Sequence, residues 1–596
     1  MASLLALLFL STSICNARIF TSPEQVSRLD AYDYVIIGAG VGGSVLANRL
    51  TEDSNTSVLL LEAGSSHHAL PVEVPGLQPF TGNGTIYNWN YSTIPQAALD
   101  NRVLPAPRGH VLGGSSSING MFYTRGSSAD YDRWANVTGD KGWSWDNMQH
   151  YFKKSEIFTS PVDQHNTTGQ FDPTLHGKNG SLSVTIGGFS QHIDELVLGR
   201  VDNSQYRFIE DYNNGSPLGF GWVQATILNG SRSNAATAFL DTVAQRSNLD
   251  VLINTRALRV VYNPSATIPA VELQREGGLG ETLRVQAKKE VILSAGVVNT
   301  PQILFNSGIG DKQTLLALNI TPIYHLPAVG KNLSEHPAVA SIWNTKHPNP
   351  NDATAAFNSA LAQWNATHTG QLSMTSSDNV GWLRMNESDP AVRSLLETYG
   401  DPAPGPMSPH FELIPIINAV DPVNNFADAI FAMASVVLTE QSRGSISLNP
   451  ADRFGPPLID YNFYSAPEDI EIMRQAVRAA LSFVSTPEWQ DFLGTPATPE
   501  LAAVIEVLQS GRDDGNAAID AHIRSSTSIA MHMVGTCAMS PKGAAWGVVD
   551  PDFRVKGVSG LRVIDASIMP FVPAAHTQAP TYALAERAAD IIKGSA

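Results

Sequence analysis

The strongest constraint on the fold lies near the start of the chain. Tyr32-Asp33-Tyr34-Val35-Ile36-Ile37 is a short, apolar, β-branched run that reads as a buried parallel strand. Gly38-Ala39-Gly40-Val41-Gly42-Gly43 follows at once, and Ser44 to Leu50 has helical character. Val58-Leu59-Leu60-Leu61 then reads as a second buried strand, ending in Glu62. Glycines at 38, 40 and 43 let the backbone turn tightly and approach a pyrophosphate at a helix N-terminus, where free N–H groups and the dipole favour anions. Glu62 lies 62 − 43 = 19 residues beyond the last glycine, where an acid can bind a ribose hydroxyl. The strand–turn–helix–strand–Glu order implies dinucleotide binding, without choosing between NAD and FAD.

This unit opens a chain of 596 residues, enough for three to four ordinary domains or two large interleaved ones. Hydrophobic residues are 43% and charged residues 16%, which supports a large core and argues against disorder. Lys and Arg number 38 against 55 Asp and Glu, a net charge of −17 with no basic run, so a nucleic-acid partner is excluded. Two cysteines, Cys15 and Cys537, make neither a disulfide framework nor a multi-cysteine metal site, and no metal site is expected.

Residues 1–17 read as a signal peptide, with an apolar run from Leu4 to Leu10 and small residues at Cys15-Asn16-Ala17. Twelve Asn-x-Ser/Thr sequons, from Asn55 to Asn386, fit a secreted eukaryotic glycoprotein. The apolar stretch is too short to span a bilayer, and no later segment reaches that length, so no membrane partner is expected.

A second α/β nucleus comes late. Lys289 to Leu293 reads as a strand, and Thr300-Pro301 as an N-cap followed by proline at the first helical position, opening a helix that stops at Ser307-Gly308. Leu561 to Ile564 reads as another strand and Tyr582 to Lys593 as an amphipathic helix. Residues 156–224 alternate polar and apolar, and 341–524 mix Pro-rich loops with a helix from Pro467 to Phe483. The expected architecture is α/β (α+β). A Rossmann-like nucleotide-binding domain is assembled from 30–155, 225–340 and 525–594, and a substrate domain with an antiparallel sheet and helices from 156–224 and 341–524.

Three further features carry chemistry. Arg108 to Gly120 contains Gly113-Gly114-Ser115-Ser116-Ser117-Ile118-Asn119, dense enough in small residues for a flat ligand to approach the backbone, although a flexible loop fits the composition equally well. His532, in Ala530-Met531-His532-Met533, and His576, in Ala574-Ala575-His576-Thr577-Gln578, can each take a proton from an alcohol at working pH. Either alone also fits a hydrogen-bonded core histidine, and their spacing does not show that they meet.

Together, the first βαβ unit, the Gly113–Gly120 loop, Gly296 to Gly310, Val329 to Pro337 and the two-histidine tail resemble the glucose–methanol–choline (GMC) oxidoreductases, in order from Tyr32 to Lys593. Within that family the chain is most similar to fungal aryl-alcohol oxidases. The resemblance implies FAD, with Gly38, Gly40, Gly43 and Glu62 holding the adenosine half. It places Gly113, Gly114, Ser115 and Asn119 along the pyrophosphate and isoalloxazine, and Asp565 near the ribityl chain. It implies His532 as general base and His576 as its partner. The expected reaction oxidises a primary alcohol to an aldehyde, with oxygen as acceptor and a quinone as the alternative, or acts on a bulkier secondary metabolite.

Ile118 stands where some relatives carry a flavin-linked histidine, so FAD is expected to be non-covalent. Gly120 and Met531 replace aromatic residues that narrow the site in aryl-alcohol oxidases, and this implies a wider cavity. Cys537 has no basic neighbour in sequence and reads as a buried structural thiol.

Overall fold

A computed structural model describes residues 18–26, 32–201, 206–262, 268–346, 353–417, 430–511 and 515–594. The expected signal peptide lies outside these residues. Six strands make one parallel sheet, in the order Arg18–Phe20, Leu249–Leu252, Val58–Leu61, Tyr34–Ile37, Glu290–Leu293, Leu561–Val563. Tyr34–Ile37 and Val58–Leu61 are buried at every position, because helices cover one face and other chain segments the other. The Val41–Leu50 helix packs along Gln578–Lys593, so the two ends of the chain share one core.

The helix expected to open at Thr300 begins earlier, spanning Gly296–Asn306 with Pro301 inside it. Proline there removes the N–H that would bond the carbonyl of Val297. The Thr536 hydroxyl donates to that carbonyl instead, at 2.6 Å. Thr300, read as a cap, donates to Asp565 Oδ2 at 2.6 Å. A tertiary hydrogen bond thus overrides the local signal. The end of the helix agrees with expectation, at Ser307 and a left-handed Gly308.

A second, antiparallel sheet stands over the carboxyl ends of the parallel one. Its core is Pro337–Thr345, Ile430–Val437, Phe411–Ile417, Asn379–Leu383 and Gly219–Trp222. Thr527–Ile529 and Leu493–Pro496 pair with the two ends of Pro337–Thr345. One face carries Val339, Trp343, Leu413, Phe431 and Met433, and packs on the Pro467–Phe483 helix. That helix buries Ile472, Met473, Ala476, Val477, Ala480 and Phe483, a stripe at helical spacing. Each large apolar side chain so buried contributes about 1.5–3 kcal/mol before its entropy is subtracted. The other face of the sheet looks into a cleft of about 600 Å³ between the two sheets.

Candidate active site

One end of the cleft is built from backbone. Gly38 has φ +97°, and a Cβ there would stand 2.4 Å from the carbonyl oxygen of Ser294, so only glycine makes the turn. Gly43 sits one layer back: its missing Cβ lets the helix lie against the Gly38 carbonyl, 1.9 Å from where that carbon would be. Gly40 faces the cleft, with only Gly114 Cα near its missing side chain, at 3.9 Å. Two helices, Val41–Leu50 and Gly296–Asn306, start at the cleft with no side-chain cap. The free N–H groups at the start of Val41–Leu50 form an anion site of the kind a pyrophosphate needs, whereas the first N–H of Gly296–Asn306 is already taken by Asp565.

The acids stand where a dinucleotide requires them. Glu62 Oε2 accepts from Ala39 N at 2.9 Å, and Oε1 from Gly64 N at 2.8 Å, which fixes the carboxyl at the cleft wall where ribose hydroxyls would lie. Burial pushes its carboxyl up to about 7 despite those bonds. Asp565 accepts from Gly296 N at 2.9 Å and Ser567 N at 2.8 Å, fixing the second helix start at the cleft wall. These donors and acids fit a bound dinucleotide.

The Gly113–Gly120 loop is packed. Gly113 is left-handed, its Cβ position 2.3 Å from Ser117 Oγ, and it turns the loop without facing the cleft. Gly114 lies against Gly40, and a Cβ on it would stand 2.7 Å from Gly40 Cα. Ser115 and Asn119 line the cleft; Ser115 Oγ accepts from Gly109 N at 3.1 Å, and Asn119 Oδ1 accepts from Arg232 at 2.8 Å.

At the other end the two histidines meet. The rings of His532 and His576 have centroids 4.6 Å apart and both line the cleft. His532 Nδ1 lies 3.0 Å from His336 Nδ1, which leaves Nε2 for the cavity. His576 Nε2 lies 2.9 Å from Glu412 Oε1, which leaves Nδ1 for the cavity. The backbone around His532 is also braced. Met531 has φ +67°, Arg108 donates to its carbonyl at 2.9 Å, and Glu335 Oε1 accepts from His532 N at 2.7 Å. Burial, aided by the positive charges available on His576, His336 and Arg108, holds His532 well below the usual imidazole range, so it is a neutral base at working pH.

Sequence reasoning located His532 and His576 but missed their partners. His336 lay within a motif already noted, yet no periodicity marks it as the neighbour of His532. Glu412 was more visible: it is a lone carboxylate in the apolar run Phe411-Glu412-Leu413-Ile414-Pro415-Ile416-Ile417. Cys537 is buried, and burial drives its thiol far above the ordinary value, in keeping with an inert structural residue. Among the described residues one group could ligate a metal, His67, His68 and Asp241, and none of them lines the cleft.

Comparisons with known proteins agree with this arrangement. The sequence models of the GMC oxidoreductases match residues 32–338 and 440–585. Dehydrogenase eriK of Hericium erinaceus is 44% identical over 612 aligned positions, covering 100% of this chain and 99% of that protein. A pyranose dehydrogenase of Agaricus campestris is 37% identical with the same coverage. Among solved structures, a fungal aryl-alcohol oxidase superposes with a TM-score of 0.80 at 28% identity, covering 94% of this chain and 99% of that one. A formate oxidase superposes with a TM-score of 0.83 at 26% identity, covering 95% and 98%.

Proposed function

The chain belongs to the GMC oxidoreductase family and is an FAD-dependent enzyme acting on alcohol or sugar CH–OH groups, and from that premise we propose that it oxidises an alcohol carried on a bulky, largely apolar skeleton. The observation that carries this is the register of the antiparallel sheet. Three rows of side chains face the cavity: Ala338–Val436–Glu412, Ala340–Ala434–Ile414 and Ile342–Ala432–Ile416. The middle strand offers only alanine and valine, so the roof is hollowed at its centre. Gly120 adds space on the floor, with nothing among the described residues within 4 Å of its missing side chain. A sugar would need several polar partners, and in these rows Glu412 alone is polar, already engaged by His576.

The residues divide the work as follows. His532, neutral and bare at Nε2, accepts the proton of the substrate hydroxyl. His576 donates its Nε2–H to Glu412 and, when Nδ1 carries a proton as well, donates Nδ1–H to the same oxygen and stabilises the charge that develops there. The apolar roof excludes water and strengthens both interactions. Gly38, Gly40, Glu62 and Asp565 would hold FAD, with Ser115 and Asn119 beside it, and bound FAD would supply the hydride acceptor for the substrate carbon. Ile118 offers no nucleophile, which supports non-covalent attachment.

Electrons then pass to a quinone or similar acceptor in preference to oxygen, a reading supported by the relatives above that are named dehydrogenases. The enzyme works outside the cell. Eleven of the twelve sequon asparagines are exposed, which supports glycosylation; Asn332 is not, and it donates internally to the Pro570 carbonyl at 3.1 Å. The deciding experiment loads the protein with FAD and adds benzyl alcohol, glucose and polycyclic primary alcohols without oxygen. Fast bleaching by the polycyclic alcohols, reversed by benzoquinone much faster than by air, is expected. Preference for glucose refutes the substrate reading, and rapid reoxidation with peroxide in air refutes the acceptor.

A further inference from the structure

Behind His532 the structure contains polar groups that the reaction above does not use. His336 is fully buried, and its Nε2 faces Glu440 Oε2 at 3.7 Å. Among the described residues neither atom has another partner within hydrogen-bond geometry, nor does Glu440 Oε1, although the Leu438 backbone also acts on the His336 ring. Leaving a buried polar group without a hydrogen bond costs about 1–3 kcal/mol, and ion-pair contacts at 3.6 and 3.7 Å recover only part of it, so the line is expensive as packing alone. On its far side Glu440 Oε1 stands 3.6 Å from Arg443, whose side chain is 26% exposed, and Arg133, 28% exposed, lies beyond it. Buried Asp469 is the other charged group facing Glu440. The line therefore runs from the cavity to solvent: His532, His336, Glu440, the arginine rim.

We propose that His336 and Glu440 form a proton exit from the catalytic base to the surface on the side away from the substrate. The substrate O–H bond breaks as Nε2–H forms on His532. The Nδ1 proton of His532 passes 3.0 Å to His336 Nδ1, and the Nε2 proton of His336 passes to Glu440 Oε2. Glu440, protonated on Oε1 at rest, releases that proton to water at the arginine rim as Oε2 takes one, so one proton exits for each hydroxyl proton taken. His532 is left neutral with its proton on Nε2, and once the cleft empties water takes that proton while one returns along the same line to Nδ1. The 3.7 Å gap closes with a sub-ångström shift or one bridging water. Burial and the charge on His576 press His336 down to about 3, so the imidazole passes a proton on without retaining it. Burial pushes the Glu440 carboxyl up, which suits a group that alternately takes and releases one. The need for such an exit rests on the substrate reading above: a bulky apolar alcohol plugs the cleft, and His532 must become neutral again before the product leaves.

The test compares the FAD-loaded protein with Glu440→Gln, and with His336→Asn as a second variant should the first not fold. A stopped-flow experiment without oxygen, in weak buffer with a pH-indicator dye, follows bleaching and proton release together. Release in step with bleaching is expected for the parent protein, and release lagging bleaching by tenfold or more in the variants, whatever their bleaching rates. A second readout needs no substrate. In resting, ¹⁵N-histidine-labelled enzyme, the proton shared by His532 and His336 exchanges with water at least tenfold more slowly in Glu440→Gln. If dye and bleaching stay in step in both variants, or if exchange is unchanged, the exit is refuted. If no alcohol bleaches the parent protein, the functional reading fails and the exchange measurement alone judges the exit.

Discussion

Glu412→Gln isolates the charge that holds His576. The side chain of Glu412 is fully buried, it bonds His576 Nε2 at 2.9 Å, and it sits on the substrate-side strand, away from the glycine turn and both helix starts. Glutamine keeps the shape and one acceptor oxygen but removes the charge. A hydrogen bond to a charged group is worth about 1.5–3 kcal/mol and a neutral one about 0.5–1.5, a difference of roughly 1–1.5 kcal/mol. At about 1.4 kcal/mol per decade, flavin reduction by alcohol should slow about five- to twelvefold. Glu412→Ala also frees the ring to rotate, and the full charged bond, up to about 3 kcal/mol, corresponds to roughly 150-fold. The assay is single-turnover bleaching without oxygen across a range of alcohol concentrations, with FAD content measured first. FAD content should match the parent protein in both variants, and the loss should fall on the limiting reduction rate. Equal rates in Gln and parent, or equal losses in Gln and Ala, would show that the carboxylate does not act through the ring of His576.

Other sites give sharper or coarser checks. Gly120→Tyr fills open space and should reduce turnover of polycyclic alcohols at least tenfold while sparing benzyl alcohol; uniform loss in a substrate panel would mean the cavity floor does not set size. Gly38→Ala places a Cβ 2.4 Å from a carbonyl oxygen at φ +97° and should yield protein with little or no FAD, read from the visible spectrum. Thr536→Val leaves the Val297 carbonyl unpaired and should cost about 1–3 kcal/mol in denaturant melts. Burial opposes ionisation of Glu156, yet Arg125 and His176 outweigh it and hold the carboxyl at about 2 instead of 4.5. Its contribution, on the order of 3 kcal/mol, is therefore present above pH 4.5 and lost as pH falls toward 2. Glu156→Gln should flatten the stability profile in that acid window; a profile parallel to the parent's would remove Glu156 as a source of acid lability.

What the sequence made legible follows the range of the interactions. Tyr34–Ile37, the glycine turn, Val58–Leu61 and Glu62 were readable because the whole unit closes within 29 residues and each element carries its own pattern. Pro467–Phe483 was readable as a helix-like stretch between Pro-rich loops, and the structure shows its buried stripe. The start of the Gly296–Asn306 helix was misread because the bond that satisfies the Val297 carbonyl, freed by Pro301, comes from Thr536, 239 residues beyond Val297. His532 and His576 could be found as residues but not as a pair. Their meeting depends on the Thr527–Ile529 strand docking on Pro337–Thr345 and on the final helix packing along the first.

The cavity divides along the same line. Its cofactor half is made of backbone geometry, which leaves a mark in sequence because only glycine tolerates φ +97° or a carbonyl at 2.4 Å. Its substrate half is made of alternation in three strands that are adjacent only after folding. Ala338, Val436 and Glu412 form one row although nearly a hundred residues separate the first from the second. Each of those strands alone looks like ordinary apolar sheet, and the hollow appears only when the alanines of the middle strand line up. Chemistry is therefore fixed by local, strained elements and substrate size by a non-local register. Substitutions at Ala432, Ala434 or Ala340 should accordingly shift substrate preference without disturbing FAD, and substitutions at Gly38 or Glu62 should do the reverse.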